Sequence, residues 1–235
     1  MPEGACEGIQ VVEMGAGSIA GSLAGMLLAD SGARVVKIEP PEGDRLREGR
    51  PSGFLVWNRG KESIVADLRE PSGRAAAREV IDSADAVIEA FATGTVESWG
   101  LDYDTVRSAN PGLVYCSIKG FGSRGRYAHL QAYEGVVAAK VGFWTMGDFG
   151  IRPEPIFNAG QMASTGAGHM AAGGILAALI AREKTGRGQR LETTLVQGLG
   201  AFDYFGMTSW QDAQRKAAAA GSLLGRPCSP SLCNV

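Results

Sequence analysis

Histidine is nearly missing from this sequence, with two in 235 residues. His129 and His169 give little to combine with Cys6, Cys116, Cys228 and Cys233, which stand at no metal-ligand spacing, so no metal site is expected. The cysteines read as free thiols of a reducing compartment rather than as a disulfide framework. Basic clusters are missing as well. The 23 Lys and Arg are outnumbered by 25 Asp and Glu, for a formal net charge of -2. With no local Lys/Arg block to compensate, nucleic acid is excluded as an expected partner. MPEGACEGIQ has neither the basic nor the apolar region of a signal peptide. The longest apolar stretch, MAAGGILAALIA (170–181), is too short to span a bilayer and is rich in small residues. These absences together predict a soluble cytoplasmic protein with no membrane partner and enough chain to bury a substantial core.

What is present is an alternation of strand-like and helical runs, the signature of an α/β sheet with crossover helices. Strands are expected at 9–13, 33–38, 63–67, 85–90, 112–118 and 190–196, and helices at 18–29 and 70–84. Asp102 caps a short helix that must end before Asn110-Pro111. Pro40 to Asn58 reads as a long polar loop and a candidate functional segment. A short helix at 133–142 and an aromatic, Pro-containing loop precede a long small-residue helix that ends near Lys184, with Gly186 as its left-handed cap. The expected organisation is a Rossmann-like large domain over 1–200, a connecting helix over 201–225 and an unstructured tail over 226–235.

The stretch QVVEMGAGSIAGSLAGMLLADSGARVVKIE (10–39) has the grammar of a dinucleotide fold: Gly15, Gly17 and Gly21 after one strand, Glu39 at the end of the next. The spacing is GxGxxxG, Lys37 shares the strand face of Glu39 and can pair with it, and a charged loop follows where a helix is usual. NAD binding and simple close helix–strand packing both remain open on these residues.

Several further motifs resemble the class III CoA-transferase family, which includes formyl-CoA transferase, crotonobetainyl-CoA transferase and the α-methylacyl-CoA racemases. They are LLADSGARVVKIEPPEGD (27–44), NRGKESIVADLRE (58–70), ADAVIEAFATGTVESWGLDYD (84–104), NPGLVYCSIKGFGSRGRYA (110–128) and GILAALIAREKTGRGQRLETTL (174–195). The resemblance implies that the Rossmann-like sheet holds coenzyme A, or an acyl-CoA, rather than a dinucleotide. CoA needs cations for phosphate, an apolar slot for adenine and a channel for pantetheine. The candidate residues are Gly21, Arg45, Arg47, Asp67, Leu68, Arg69, Phe91, Lys119, Arg124 and Tyr133, with Arg126 nearby, most of them at the carboxyl edge of the expected sheet.

The resemblance also implies a catalytic aspartate shortly before the GILAAL helix, attacking the thioester to form a mixed anhydride. Counting back from Gly174 puts that position at Ser164, or at Ala163 with a one-residue slip, and Gln161 to Gly174 contains no carboxylate. A serine forms an ordinary ester, too stable for this exchange, and the sequence shows no base to activate it. Asp148 and Glu154 are displaced alternatives, and His169 reads as a core or cap residue. The racemase histidine falls where Gln131-Ala132 stands, with His129 out of place. Ser98-Trp99 and Ile19 stand where the family often has an arginine and a polar residue.

The resemblance further implies nearly twice this length, with a small second domain expected to be absent here, and leaves Phe202, Tyr204, Phe205, Met207 and Trp210 as an expected apolar face for a partner. The functional expectation is therefore an oligomeric subunit that shares CoA transfer, between an acyl-CoA and a carboxylic acid, with a catalytic sister chain. The alternatives are an active transferase with a displaced nucleophile and an NAD-type binding protein. Phe143, Trp144, Met146, Phe149 and Phe157 hint at a bulky or aromatic acyl group.

Overall fold

The computed structural model describes residues 4–143, 159–202, 212, 215 and 216. Six strands are present among them: β1 (Gln10–Met14), β2 (Arg34–Glu39), β3 (Lys61–Val65), β4 (Ala86–Glu89), β5 (Val114–Lys119) and β6 (Arg190–Thr194). The helices are α1 (Ile19–Asp30), α2 (Arg45–Gly49), α3 (Pro51–Trp57), α4 (Pro71–Asp82), α5 (Thr95–Trp99), α6 (Tyr103–Val106), α7 (Glu134–Lys140), α8 (Met162–Thr185) and α9 (Leu195–Gly200). The strands form one sheet in the order β3-β2-β1-β4-β5-β6, with every pairing parallel. This is the doubly wound order of a Rossmann-like α/β fold.

Every residue of β4 and β5 is buried, as parallel strands covered by helices on both faces must be. One face, with Val11, Val35, Ala86, Ile88 and Val114, packs beneath α1, α8 and α9. The other, with Val12, Met14, Ile38, Val87 and Tyr115, packs against α4 and α6 through Ala77, Ile81 and Val106. In α4 the buried residues Gly73, Ala77 and Ile81 recur every fourth position, so one stripe anchors an otherwise charged helix. Complete burial of Ile81 contributes about 1.5–3 kcal/mol.

Helix α8 extends well beyond the apolar run seen in the sequence. At 24 residues it is long and apolar enough, by length and composition, to cross a membrane, yet 56% of its most apolar window is buried inside the fold. Its inward face is built from Ala163, Gly166, Ala167, Gly168, Ala171 and Ala172, small enough for α1 and α9 to approach closely. Gly186 caps it in the left-handed conformation at φ 67°, as expected.

Two local expectations are corrected. Residues 40–58 are not one irregular loop: α2 and α3 form there, because the Asp44 side chain caps Leu46 N–H at 2.8 Å, Pro51 preorganises the next first turn, and Leu46 and Phe54 are buried. Nor does Lys37 pair with Glu39. Its ammonium meets Glu13 and Asp44, while Glu39 takes Arg47. Asp148, Glu154, Trp144, Met146, Phe149, Phe157, Tyr204, Phe205, Met207, Trp210, Cys228 and Cys233 lie outside the described residues, as do most of the connecting helix and the tail.

Candidate active site

In a doubly wound sheet the chain leaves neighbouring strands in opposite directions at one point, and the strand ends part to leave a crevice. Here that point lies between β1 and β4. The turn after β1 (Ala16 to Ala20) and the turn after β4 (Ala90 to Ala92) face each other across a cleft of about 530 Å³. Pro40 and Arg45 after β2, Ala66 to Arg69 after β3, and Gln131 to Glu134 at the entry to α7 add to its walls, with Gln161 and Ser164 at the start of α8. Gly15, at φ 127°, makes the first turn possible. A Cβ there would also come within 2.9 Å of the Ala90 side chain.

The N-terminus of α1 opens into this cleft. Ser18 caps it by accepting the Gly21 N–H at 3.1 Å, and with Ser18, Ile19 and Ala20 on the cleft wall the positive end of the helix dipole lies where an anion is favoured. Arg45 lies on the same rim with no carboxylate partner among the described residues. Opposite, Phe91 and Trp99 meet edge to face at 5.1 Å between ring centres and supply an apolar wall.

At the far end a carboxylate and a hydroxyl meet. Glu134, the first residue of α7, accepts Ala163 N–H at 2.7 Å and Ser164 N–H at 2.8 Å, and Ser164 Oγ donates to the same carboxylate at 2.7 Å. Ser164 is 6% exposed and lines the cleft. The sequence shows no base beside Ser164, whereas the structure puts Glu134 in hydrogen-bond contact with it. No spacing signal links residues thirty positions apart; the only hint is an acidic side chain at a helix start.

The lip is tied to the sheet by buried charge. Glu13 receives the ammonium groups of Lys37 at 2.5 Å and Lys61 at 2.6 Å, and Lys37 also meets Asp44 at 2.9 Å. Asp44 in turn accepts Gly17 N–H at 3.0 Å, so the glycine turn and the start of α2, where Arg45 stands, are joined at one carboxylate. Burial pushes the Glu13 carboxyl up, but the two ammonium groups outweigh it and hold it at about 2. Glu39 is likewise raised by burial and brought down to about 2 by hydrogen bonds from Arg47, Ser63 and the Asp44 backbone. The Cys116 thiol is pushed up to about 12 by burial, with the Glu89 charge adding to it, so it is a core residue rather than a nucleophile.

Of the residues singled out in the sequence, Arg45, Asp67, Leu68, Arg69, Phe91, Tyr133 and Ser164 come together at this cleft. Arg69 there pairs with Asp67 and Glu42. Gly21 faces Ala90 behind the turn. Arg47 is turned onto Glu39 and lies over the Phe54 ring. Lys119 is buried against Glu89 and the Phe91 carbonyl. Arg124 and Arg126 border a second cleft beside Arg190 and Glu192. His169 is bonded to the Thr165 carbonyl one turn back. Among the described residues no group of three or more His, Cys, Asp or Glu is arranged to hold a metal.

Residues 6–224 match the family model of CoA-transferase family III. The chain is 39% identical over 205 residues to a succinate–glutarate CoA-transferase of Agrobacterium fabrum, covering 80% of this chain and 50% of that protein. It is 32% identical to an acetyl-CoA:oxalate CoA-transferase of Acetobacter aceti, covering 94% of this chain and 58% of the other. Among solved structures, a CaiB/BaiF family protein from Brucella suis superposes with a TM-score of 0.81 at 34% identity, covering 94% of this chain and 59% of that one. An aspartate-to-alanine variant of Rv3272 from Mycobacterium tuberculosis superposes at 0.84, with 31% identity, covering 90% and 59%. The chain spans about half the length of the curated relatives it matches.

Proposed function

Because the chain belongs to CoA-transferase family III, we propose that its cleft binds the CoA portion of an acyl-CoA and that the chain is a subunit without its own transfer carboxylate. A sister subunit of the family supplies that group, and the pair moves CoA between an acyl-CoA and a carboxylic acid. The observation that carries this reading is Ser164: a hydroxyl, not a carboxylate, occupies the third position of α8 on the cleft wall. A serine ester lacks the activation of an acyl anhydride, so it cannot sustain reversible exchange with a carboxylate.

The CoA assignment is supported by the chemistry of the walls. The first turn of α1 and Arg45 suit phosphate, Phe91 and Trp99 suit the adenine face, and the wall that includes Leu68, Ile118 and Ser164 suits the pantetheine arm. A dinucleotide is disfavoured because Glu39, the residue that would hold the ribose, is 2% exposed and already engaged by Arg47, Ser63 and the Asp44 N–H. The working compartment is taken to be the cytoplasm, in keeping with the free, buried Cys6 and Cys116.

The test is purification of the tagged chain from its source with mass spectrometry of stoichiometric companions, followed by CoA-transfer assays with and without them. Transfer that requires a co-eluting, carboxylate-bearing family member supports the reading. A chain that elutes as a homomer and transfers CoA by itself overturns it, and favours a displaced nucleophile.

A further inference from the structure

We propose that Ser164 and Glu134 form a nucleophile–base pair that hydrolyses CoA thioesters, an inference that rests on the cleft being the acyl-CoA site. The chain would thus drain acyl-CoA to free acid, a reaction distinct from transfer and one that an ester-forming residue can perform.

The geometry has three parts. Ser164 Oγ donates to Glu134 Oε2 at 2.7 Å on the cleft wall, so the proton to be removed already lies on the path to its acceptor. Two backbone N–H groups, from Ala163 and Ser164, hold the carboxylate in this orientation without depending on mobile side chains. Ser164 lies in the first turn of a 24-residue helix, where the macrodipole stabilises negative charge developing on Oγ.

Serine rather than glutamate is the nucleophile. Each Glu134 oxygen carries a backbone donor, and Oε2 carries the hydroxyl as well. Attack by either oxygen would spend a lone pair already engaged and loosen the start of α8, whereas proton transfer along the existing Oγ–H···Oε2 bond requires no rearrangement.

In the first step Glu134 takes the hydroxyl proton and Oγ attacks the thioester carbonyl. The C–S bond breaks, Glu134 returns the proton to sulfur, and CoA leaves as the free thiol. In the second step a water gives its proton to Glu134 and its oxygen attacks the serine ester. The C–Oγ bond breaks, Oγ takes the proton back, and the acid leaves as a carboxylate with one proton released to solvent. Water is the only co-reactant.

The test uses the full chain with acetyl-CoA and benzoyl-CoA, following thiol release with a chromogenic thiol reagent and acyl adducts by intact mass and peptide mapping. CoA binding is measured separately by calorimetry. The expected result is thiol release above the protein-free rate, with the adduct on the peptide containing Ser164. Ser164→Ala removes both and keeps CoA binding. Glu134→Gln slows release on the order of 100-fold, the scale of a general base. Because Glu134 also caps α8, each variant is checked by thermal melting. Ser164→Ala leaves both backbone caps in place and decides the matter if the glutamine variant unfolds. Bound CoA without thiol release, an unimpaired Ser164→Ala, or an adduct on Glu134 overturns the proposal while the CoA site stands. Failure to bind CoA overturns the underlying functional reading as well.

Discussion

Replacing Glu13 by glutamine removes one charge from a buried group of four and leaves the shape nearly unchanged. Glu13, Lys37, Lys61 and Asp44 are balanced at two positive and two negative, and their side chains are 0–2% exposed. At an effective dielectric of about 20, each ammonium–carboxylate contact is worth on the order of 4 kcal/mol, and Glu13 makes two. Part of that attraction is offset by the desolvation that the neutral glutamine no longer bears, so the net loss follows other broken buried pairs at about 3–5 kcal/mol. This is a large share of a typical total of about 5–15 kcal/mol. The assay is urea unfolding at neutral pH, with an unchanged denaturant slope as the sign of an intact native state. Adding Lys61→Met to Glu13→Gln should restore part of the loss, because it removes an ammonium left without its carboxylate. Glu13→Gln within about 1 kcal/mol of the parent, or a double variant showing the sum of both losses, would refute the electrostatic account. Arg34→Ala, which breaks an exposed pair with Glu62, serves as the comparison and should change little.

The remaining predictions draw on the same geometry. Glu13 and Glu39 are both depressed to about 2 in the folded state, so their stabilisation is complete above the unfolded carboxyl value of about 4.5 and is lost as pH falls toward 2. Acid titration of the melting temperature should be steepest in that window, and shallower in Glu13→Gln. Gly25→Ala would set a Cβ 2.3 Å from Glu13 Oε2 and 3.0 Å from Lys61 Nζ, and should cost about 1–3 kcal/mol in thermal or urea unfolding by prising α1 off the ion group. Arg45→Ala should weaken CoA binding about tenfold, the worth of one charge-assisted phosphate contact, with a smaller salt dependence in calorimetry.

The sheet was legible in the sequence because parallel strands buried on both faces must be apolar runs, as VYCSIK and AVIE are, and because glycine and capping residues punctuate them. Asp102 and Gly186 cap as expected, since a cap is settled within one turn of chain. The segment 40–58 was misread because its helices depend on the Asp44 cap and on burial of Leu46 and Phe54, and polar composition hides both. The strand-end rule drew most candidate ligands to one cleft edge, yet it could not tell which cations were already taken. Arg47 and Lys119 go to Glu39 and Glu89, and those partners are chosen by distance in space.

By itself, then, the sequence determined the alternating α/β order, the tight turn at Gly15 and the hydroxyl at position 164, because each is a property of local backbone preference or of one side chain. Only the tertiary structure decided that Lys37 answers Glu13 rather than Glu39, that Asp44 ties the glycine turn to the start of α2 at Arg45, and that Glu134 meets Ser164. Those are contacts between groups distant along the chain. Their strength depends on burial and orientation, and both arise only when the helices have closed over the sheet.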